Sequence, residues 1–416
     1  MKWYQKIFLS LMCLGVTAFI VISSNNCYKV AVSCFLSNLY SSEAVVSLTD
    51  VSSKKNCAAE FPIFDLEQSD KKVLGTLAKE HGAVGASIAV IKNGRVMYHY
   101  EYGWADREDK IPMTSSSKIR VASISKPVAA MAYMKLCDDG KVSLDTQMSE
   151  IFGENEIYEN VTMRSLLCHF SGLSDANSLN KGIRRQTLTQ ELTIENIFVR
   201  KPFTQWEYSN FGFDIVGAAV EKTSGMLFQD YTAETIFKPL GIDASWDGSY
   251  ISASDLIAST YLPSGYKSLS SKKQTEALEQ NSLGENYSYI AGGLKISAVD
   301  LARVFTVLIN NGEYMGENIL SCEAVEQLET VQQNRTGRNF EQCIGLRYSK
   351  NCYCGRSMYF HPGNAYGVLS LAAYDKSDKS GVVIITTGAD TKRDSYGNFK
   401  VCSDMLKYIY QNVINI

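Results

Sequence analysis

The stretch from Ile119 to Asp145 constrains this chain more than any other. Val128, Ala129, Met131, Ala132, Met134 and Leu136 fall on nearly every side of a helix, and a helix with so little polar face has to be buried. A short β-like entry, Ile119-Arg120-Val121, delivers Ser123 to the start of that helix. Ser123 and Lys126 are three apart and share one face of its first turn, where free backbone N–H groups favour developing negative charge. Serine beside an unhydrated lysine is one way to make an alcohol nucleophilic at neutral pH. The spacing alone selects nothing, because Ser-x-x-Lys also begins at Ser52, Ser69, Ser115, Ser178, Ser264 and Ser270. Taken alone, Ser123 serves equally well as a helix cap. Context separates it from the rest.

Before that stretch, the spacing of Leu66, Val73, Leu74, Leu77 and Ala78 predicts a helix over Asp65–His81. Ala86–Ile91 and Arg95–Tyr100 flank Asn93-Gly94, a hairpin signal. From Gly140 to about Ile290 the pattern is helical and loop-rich. Helices are expected over Thr162–Cys168, Leu192–Val199 and Phe213–Lys222, and Ser264–Gln280 reads as a solvated excursion. Ser297 and Asp300 match a capping box in position ahead of a helix reaching Asn310. Strand signals return at Cys343–Tyr348, Ser357–His361, Tyr366–Tyr374 and Gly381–Thr387, and Asn398–Ile414 is a final helix. The economical architecture is α+β: an antiparallel sheet flanked by the terminal helices, with an all-helical subdomain over about 123–295 inserted after the hairpin.

Composition excludes several roles. Apolar content of 45%, charged content of 20% and a net charge of −3 describe a globular protein. No basic stripe points to nucleic acid. The four histidines, His81, His99, His169 and His361, show no metal-ligand spacing in the sequence, so neither a metal nor a cofactor is expected. Lys2 and Lys6 precede an apolar run from Ile7 to Ile22, a pattern that sends the downstream chain across a membrane. Residues 1–26 read as a signal peptide or a membrane anchor, and 27–62 as a polar linker. The remaining residues are expected outside the cytoplasm, membrane-anchored or secreted, as a monomer. Among eleven cysteines, Cys343 either pairs with Cys352 or Cys354 across a hairpin, or all three are free thiols.

Two later clusters join Ser123. Tyr208-Ser209-Asn210 feeds an apolar helix within the helical block, and His361-Pro362-Gly363 ends a predicted strand. Ser123-x-x-Lys126, Tyr208-x-Asn210 and His361-x-Gly363, in that order, resemble the penicillin-recognising serine hydrolases. The likeness is to class C β-lactamases, DD-peptidases and related esterases, and runs from about residue 65 to the C-terminus. It is supported at Gly85–Tyr102, Asp139–Asp145, Leu166–Leu173, Ala291–Asn311 and His361–Gly388.

The resemblance implies a β-lactamase-like fold over residues 63–416 and acyl transfer to a small-molecule or peptide substrate. Ser123 would be the nucleophile, with Lys126 and Tyr208 moving its proton; which of the two is the base stays open. Asn210 would hold the acyl amide, and the backbone N–H groups of Ser123 and Asn364 would bind the oxyanion. His361 would face the substrate carboxylate where such enzymes usually carry lysine, a weaker anchor. Pro362 removes a backbone donor beside it. An exported serine hydrolase acting on an ester or amide is the expectation, with a D-amino-acid peptide as one candidate. A class C-like β-lactamase or DD-carboxypeptidase stays open, as does a non-catalytic penicillin-binding-like sensor. His169 is expected to brace its loop.

Overall fold

The computed structural model describes residues 62–175, 187–192, 197–286, 289–333 and 336–415. The signal or anchor segment and most of the linker lie outside them. Among the described residues no helix is long and apolar enough to cross a membrane.

One nine-stranded sheet carries the domain. Its strands are β1 (Phe64–Asp65), β2 (Gly85–Lys92), β3 (Arg95–Asp106), β4 (Ile111–Pro112), β5 (Glu341–Gln342), β6 (Arg347–Ser349), β7 (Met358–Ala365), β8 (Val368–Asp375) and β9 (Ser380–Thr387). They lie in the order β1-β3-β2-β9-β8-β7-β6-β5, with β4 on β3, antiparallel except for β1 on β3. Asn93 and Gly94 take positive φ, 55° and 71°, as the tight β2–β3 turn requires. Central strands read as continuous apolar runs because both faces are covered. Ala89, Ile91, Val383 and Ile385 enter one core, and Ile88, Val90, Val382 and Ile384 the other, the alternation that a strand imposes.

On the second of those faces lie the terminal helices α1 (Gln68–Glu80) and α5 (Lys400–Ile409), whose Leu74, Ala78, Val401, Met405 and Leu406 are buried there. Tyr408 at the end of α5 donates to Asp70 on α1 at 2.8 Å. The first residue of the predicted first helix, Asp65, instead belongs to β1 beside β3, and the helix starts at Gln68. The larger core holds the buried helix α2 (Ser125–Asp138), α3 (Asn210–Ser224) and α4 (Ala298–Ile309).

Several local expectations shift. Of the helix expected over Leu192–Val199, residues 193–196 lie outside the described residues and Phe198 forms a β-bridge with Leu173, while a short helix lies earlier, at Leu188–Glu191. The Ser264–Gln280 region folds back as a hairpin, Thr260–Tyr261 on Lys267–Leu269, and buries Gln274, so the inserted block is not wholly helical. Ser297 caps α4 by accepting from Asp300 N at 3.0 Å. The Asp300 carboxylate does not complete the box; it binds Lys118 and Arg303 at 2.7 and 2.6 Å, stronger charged partners than a backbone amide. Cys343, Cys352 and Cys354 are free thiols; Cys343 is fully buried and donates to Glu329 O at 3.2 Å.

β7 does not stop at His361. It continues to Ala365, while its neighbour β6 pairs only as far as Phe360. From His361 onward the outer side of β7 has no strand partner among the described residues, and such an edge is where a sheet accepts proline.

Candidate active site

The nucleophile candidate sits on a strained turn. Ile119–Arg120 pairs with Lys295–Ile296, and the chain then enters a short 3₁₀ turn, Ala122–Ile124, that runs into α2. Ala122 has φ +53°, a conformation that costs a non-glycine residue energy and clusters at functional sites. The turn is held by Val121 N to Leu294 O at 2.9 Å and by Ser370 Oγ, which donates to Val121 O at 2.8 Å. Ser123 is half-buried, whereas Lys126 is fully buried.

Lys126 Nζ lies 3.3 Å from Ser123 Oγ, 2.9 Å from Asn210 Oδ1 and 2.8 Å from Ala291 O. These are uncharged oxygens, and no carboxylate among the described residues pairs with it. Its ammonium lies 4.9 Å from the ring centre of Tyr208 and 5.7 Å from that of Phe213. The turn, the lysine, Tyr208 and Asn210 thus converge from separate elements. α3 starts at Asn210, three residues ahead of the predicted start, because Ser209 caps it by accepting from Gly212 N at 2.8 Å.

Asp175 escaped sequence reasoning altogether. Its carboxylate accepts from Ser209 Oγ (2.6 Å), Asn210 N (2.7 Å), Asn210 Nδ2 (3.2 Å) and Phe211 N (3.3 Å). A negative charge at a helix N-terminus is favourable. By taking the Asn210 NH₂ group it also turns the amide oxygen toward Lys126. The loop at Leu166–Leu173 carries no legible chemistry, yet it positions Tyr208. His169 O accepts from Glu207 N at 2.9 Å, and His169 Nδ1 accepts from Ser209 N at 3.2 Å. The His169 ring packs 4.4 Å from that of Tyr208. Burial, with the Lys126 and Arg347 charges, holds its pKa well below the usual histidine range, so it is a neutral brace.

His361 is also buried and neutral. Its Nδ1 lies 2.7 Å from Pro362 O, a pure acceptor, which places the proton on Nδ1. Desolvation, then the charges of Arg347 and Lys126, push its pKa well below 6.5. The cation at this end of β7 is Arg347 of β6, one register step away, where Arg347 faces Phe360. Its guanidinium packs 4.4 Å from the Phe340 ring centre and 5.7 Å from that of Tyr208. Its Nε is buried without a hydrogen-bond partner, and burial pushes its pKa down to about 10.

Gly363 packs against the nucleophile turn. A Cβ there would lie 2.2 Å from Ser370 Oγ and 2.6 Å from Val121 O, so only glycine lets β7 run this close. Asn364, the next residue, is exposed. Away from this site, Asp65, His99 and Glu101 offer ligand atoms within 4.8 Å of one another. They are already arranged as ion pairs: Lys71 to Asp65 at 3.0 Å and His99 to Glu101 at 3.0 Å. The Glu101 hydrogen bond raises the His99 pKa.

A model of the family described as Beta-lactamase matches residues 71–401. The chain belongs to the beta-lactamase family. Penicillin-binding protein 4* of Bacillus subtilis (strain 168) is 31% identical over 176 residues, 40% of this chain and 39% of that protein. The curated relatives are matched over little more than a third of their own length, 36–39%. Among solved structures, an octameric penicillin-binding protein homologue from Pyrococcus abyssi aligns with TM-score 0.67 and 22% identity, over 82% of this chain and 77% of that one. D-amino acid amidase from Ochrobactrum anthropi SV3 aligns with TM-score 0.65 and 22% identity, over 82% and 98%. At these identities the structures establish the beta-lactamase-like fold.

Proposed function

We propose that this member of the beta-lactamase family is an exported serine hydrolase that cleaves an ester or amide through an acyl-enzyme on Ser123. The observation that carries the reading is Lys126: buried, 3.3 Å from Ser123 Oγ, and held by uncharged acceptors rather than a carboxylate. An ion-paired lysine would have a structural purpose; one left beside a hydroxyl can exchange a proton with it. Ser123 Oγ attacks the carbonyl carbon and gives its proton to the Lys126–Tyr208 pair. The negative charge on the carbonyl oxygen is met by the backbone N–H groups of Ser123 and Asn364. The C–N or C–O bond then breaks as the leaving group takes a proton from Tyr208. Water attacks the ester carbon in the second half and regenerates the serine. Asn210, fixed by Asp175, holds the acyl amide.

Arg347 sharpens the substrate class. It carries a charge with no carboxylate partner among the described residues and lies beside Tyr208, where the leaving group departs. A leaving group bearing a carboxylate, as in a peptide ending in a free acid, suits it. Neutral His361 supports shape rather than charge at this point. The likeness to a D-amino acid amidase supports a D-amino-acid residue at the scissile bond, and Lys2, Lys6 and the apolar run after them support export.

The test is labelling with a fluorophosphonate and with a fluorescent penicillin, located by mass spectrometry. Turnover of p-nitrophenyl esters, nitrocefin and a D-Ala-D-Ala peptide is then compared. Label on Ser123 and loss of turnover in both Ser123→Ala and Lys126→Ala are expected, since groups acting as a unit fail together. Unchanged turnover in either variant overturns the assignment. Label without turnover of any substrate identifies a binding or sensor domain instead.

A further inference from the structure

Arg347 has a counterpart at the other end of β7. Arg120 lies three residues before Ser123, and its guanidinium carbon lies 4.8 Å from the ring centre of Tyr366, two residues past Asn364. Tyr366 forms the tip of the β7–β8 hairpin with φ +53° and is 51% exposed. Arg120 Nε is buried without a partner, and no carboxylate among the described residues pairs with the guanidinium. Its neighbour across the strand pair is Lys295, buried and donating to Trp246 O at 2.7 Å and Gly293 O at 3.3 Å, and burial, then the Arg120 charge, push the Lys295 pKa down to about 7. The nearby Asp247 carboxylate is engaged with Ser249 and with Leu278 N. Burying part of a cation without a counter-ion is costly, and this one lies three residues before Ser123.

We infer that Arg120, roofed by Tyr366, binds a carboxylate on the acyl portion of the substrate, at the opposite end of β7 from Arg347. The inference rests on the acyl-transfer reading. In that reading the leaving group departs beside Tyr208 and Arg347, so the acyl chain runs the other way, past Asn364 toward the hairpin tip. His361 and Tyr366 are five residues apart, roughly 17 Å of extended strand. The site therefore suits a substrate with an acidic group at each end, one on the acyl chain and one on the leaving group. A stacked arginine is well made for the first, since its planar fork binds a carboxylate in two-point fashion while its face stays against the ring.

The test compares the p-nitrophenyl monoester of adipic acid, which carries a carboxylate on the acyl chain, with p-nitrophenyl hexanoate, of equal length and neutral. Acylation of Ser123 is followed by mass spectrometry in both. The wild-type chain is expected to favour the adipate ester by about tenfold or more in kcat/KM, the size of a charge-assisted contact. Arg120→Met abolishes that preference, Arg120→Lys keeps part of it and Tyr366→Ala reduces it, with thermal melts checking that each variant folds. Two results overturn the inference while leaving the acyl-enzyme intact: no preference in the wild type, or equal loss on both esters in folded Arg120→Met. If Ser123 is acylated by neither ester, the acyl-transfer reading itself fails and the inference falls with it.

Discussion

Gly363→Ala is the smallest change that tests the geometry of the reaction site. The added carbon would sit 2.2 Å from Ser370 Oγ, 2.6 Å from Val121 O and 3.2 Å from Ala122 Cβ. Ordinary contacts of this kind are about 3.5 Å, so the overlap amounts to roughly 1 Å. The Ser370 hydroxyl can rotate away, but Val121 O cannot retreat easily, because Val121 N is tied to Leu294 O at 2.9 Å. β7 must therefore withdraw from the Ser123 turn and take Asn364 N with it. Losing one oxyanion donor costs about 3 kcal/mol, or roughly 100-fold or more in kcat, and a shift near 1 Å has effects of the same order. The overpacking itself costs about 1–3 kcal/mol of stability, less than a domain of ordinary stability possesses, so the variant folds. The assay is the rate of Ser123 acylation by a p-nitrophenyl ester, with circular dichroism as the control for folding. Gly363→Ala combined with Ser370→Ala should recover little, because the clash with the Val121 carbonyl persists. Acylation within about threefold of wild type, against the roughly 100-fold expected of a lost donor, would show that Asn364 N is not the second oxyanion donor.

Other perturbations read separate parts of the site. Asp175→Ala removes four accepted hydrogen bonds at the start of α3; a loss of about 2 kcal/mol in urea unfolding is expected, with a fall in kcat as Asn210 turns. Unaltered kcat in the destabilised variant would reduce Asp175 to a helix cap. Arg347→Met should lower kcat/KM by about 10- to 100-fold for substrates whose leaving group bears a carboxylate and much less for neutral esters; equal losses on both would mean the guanidinium only packs. Burial holds the His169 and His361 pKa values well below the 6.5 of an exposed histidine. In the window below 6.5 the unfolded chain binds protons that the folded one does not, so stability falls as pH falls, by up to about 1.4 kcal/mol per pH unit for each histidine. His361→Gln should flatten the decline of the urea midpoint between pH 6.5 and 4.5; an identical slope would place the pH sensitivity elsewhere.

The parts of this molecule that could be read from its sequence are those in which neighbours in space are neighbours along the chain. The all-apolar helix after Ser123 had to be buried, Asn93-Gly94 had to turn, and Ser123 with Lys126 had to share a face. The missing pieces depend on pairings made by the fold. Asp175 reaches Asn210 across 35 residues, and no local pattern in Ser174-Asp175 announces it. Arg347 reaches the site only because β6 pairs with β7 in a register that sets it opposite Phe360; from sequence, the carboxylate anchor at this point was His361, a weaker one than lysine. The same withheld information explains why His361 looked like the end of a strand. Proline interrupts a paired strand, but the sequence does not say that β6 stops at this point and leaves β7 unpaired. Once that edge is known, the two sparsely partnered arginines become intelligible together. Each is stacked on an aromatic ring, each lacks a carboxylate among the described residues, and they lie towards opposite ends of the stretch of β7 that has no outer strand partner among the described residues. In the proposed reading, chemistry at Ser123 depends on a local turn and is visible in a motif, whereas selection of the substrate depends on the register of β6 and the reach of the β7–β8 hairpin, which a motif does not carry.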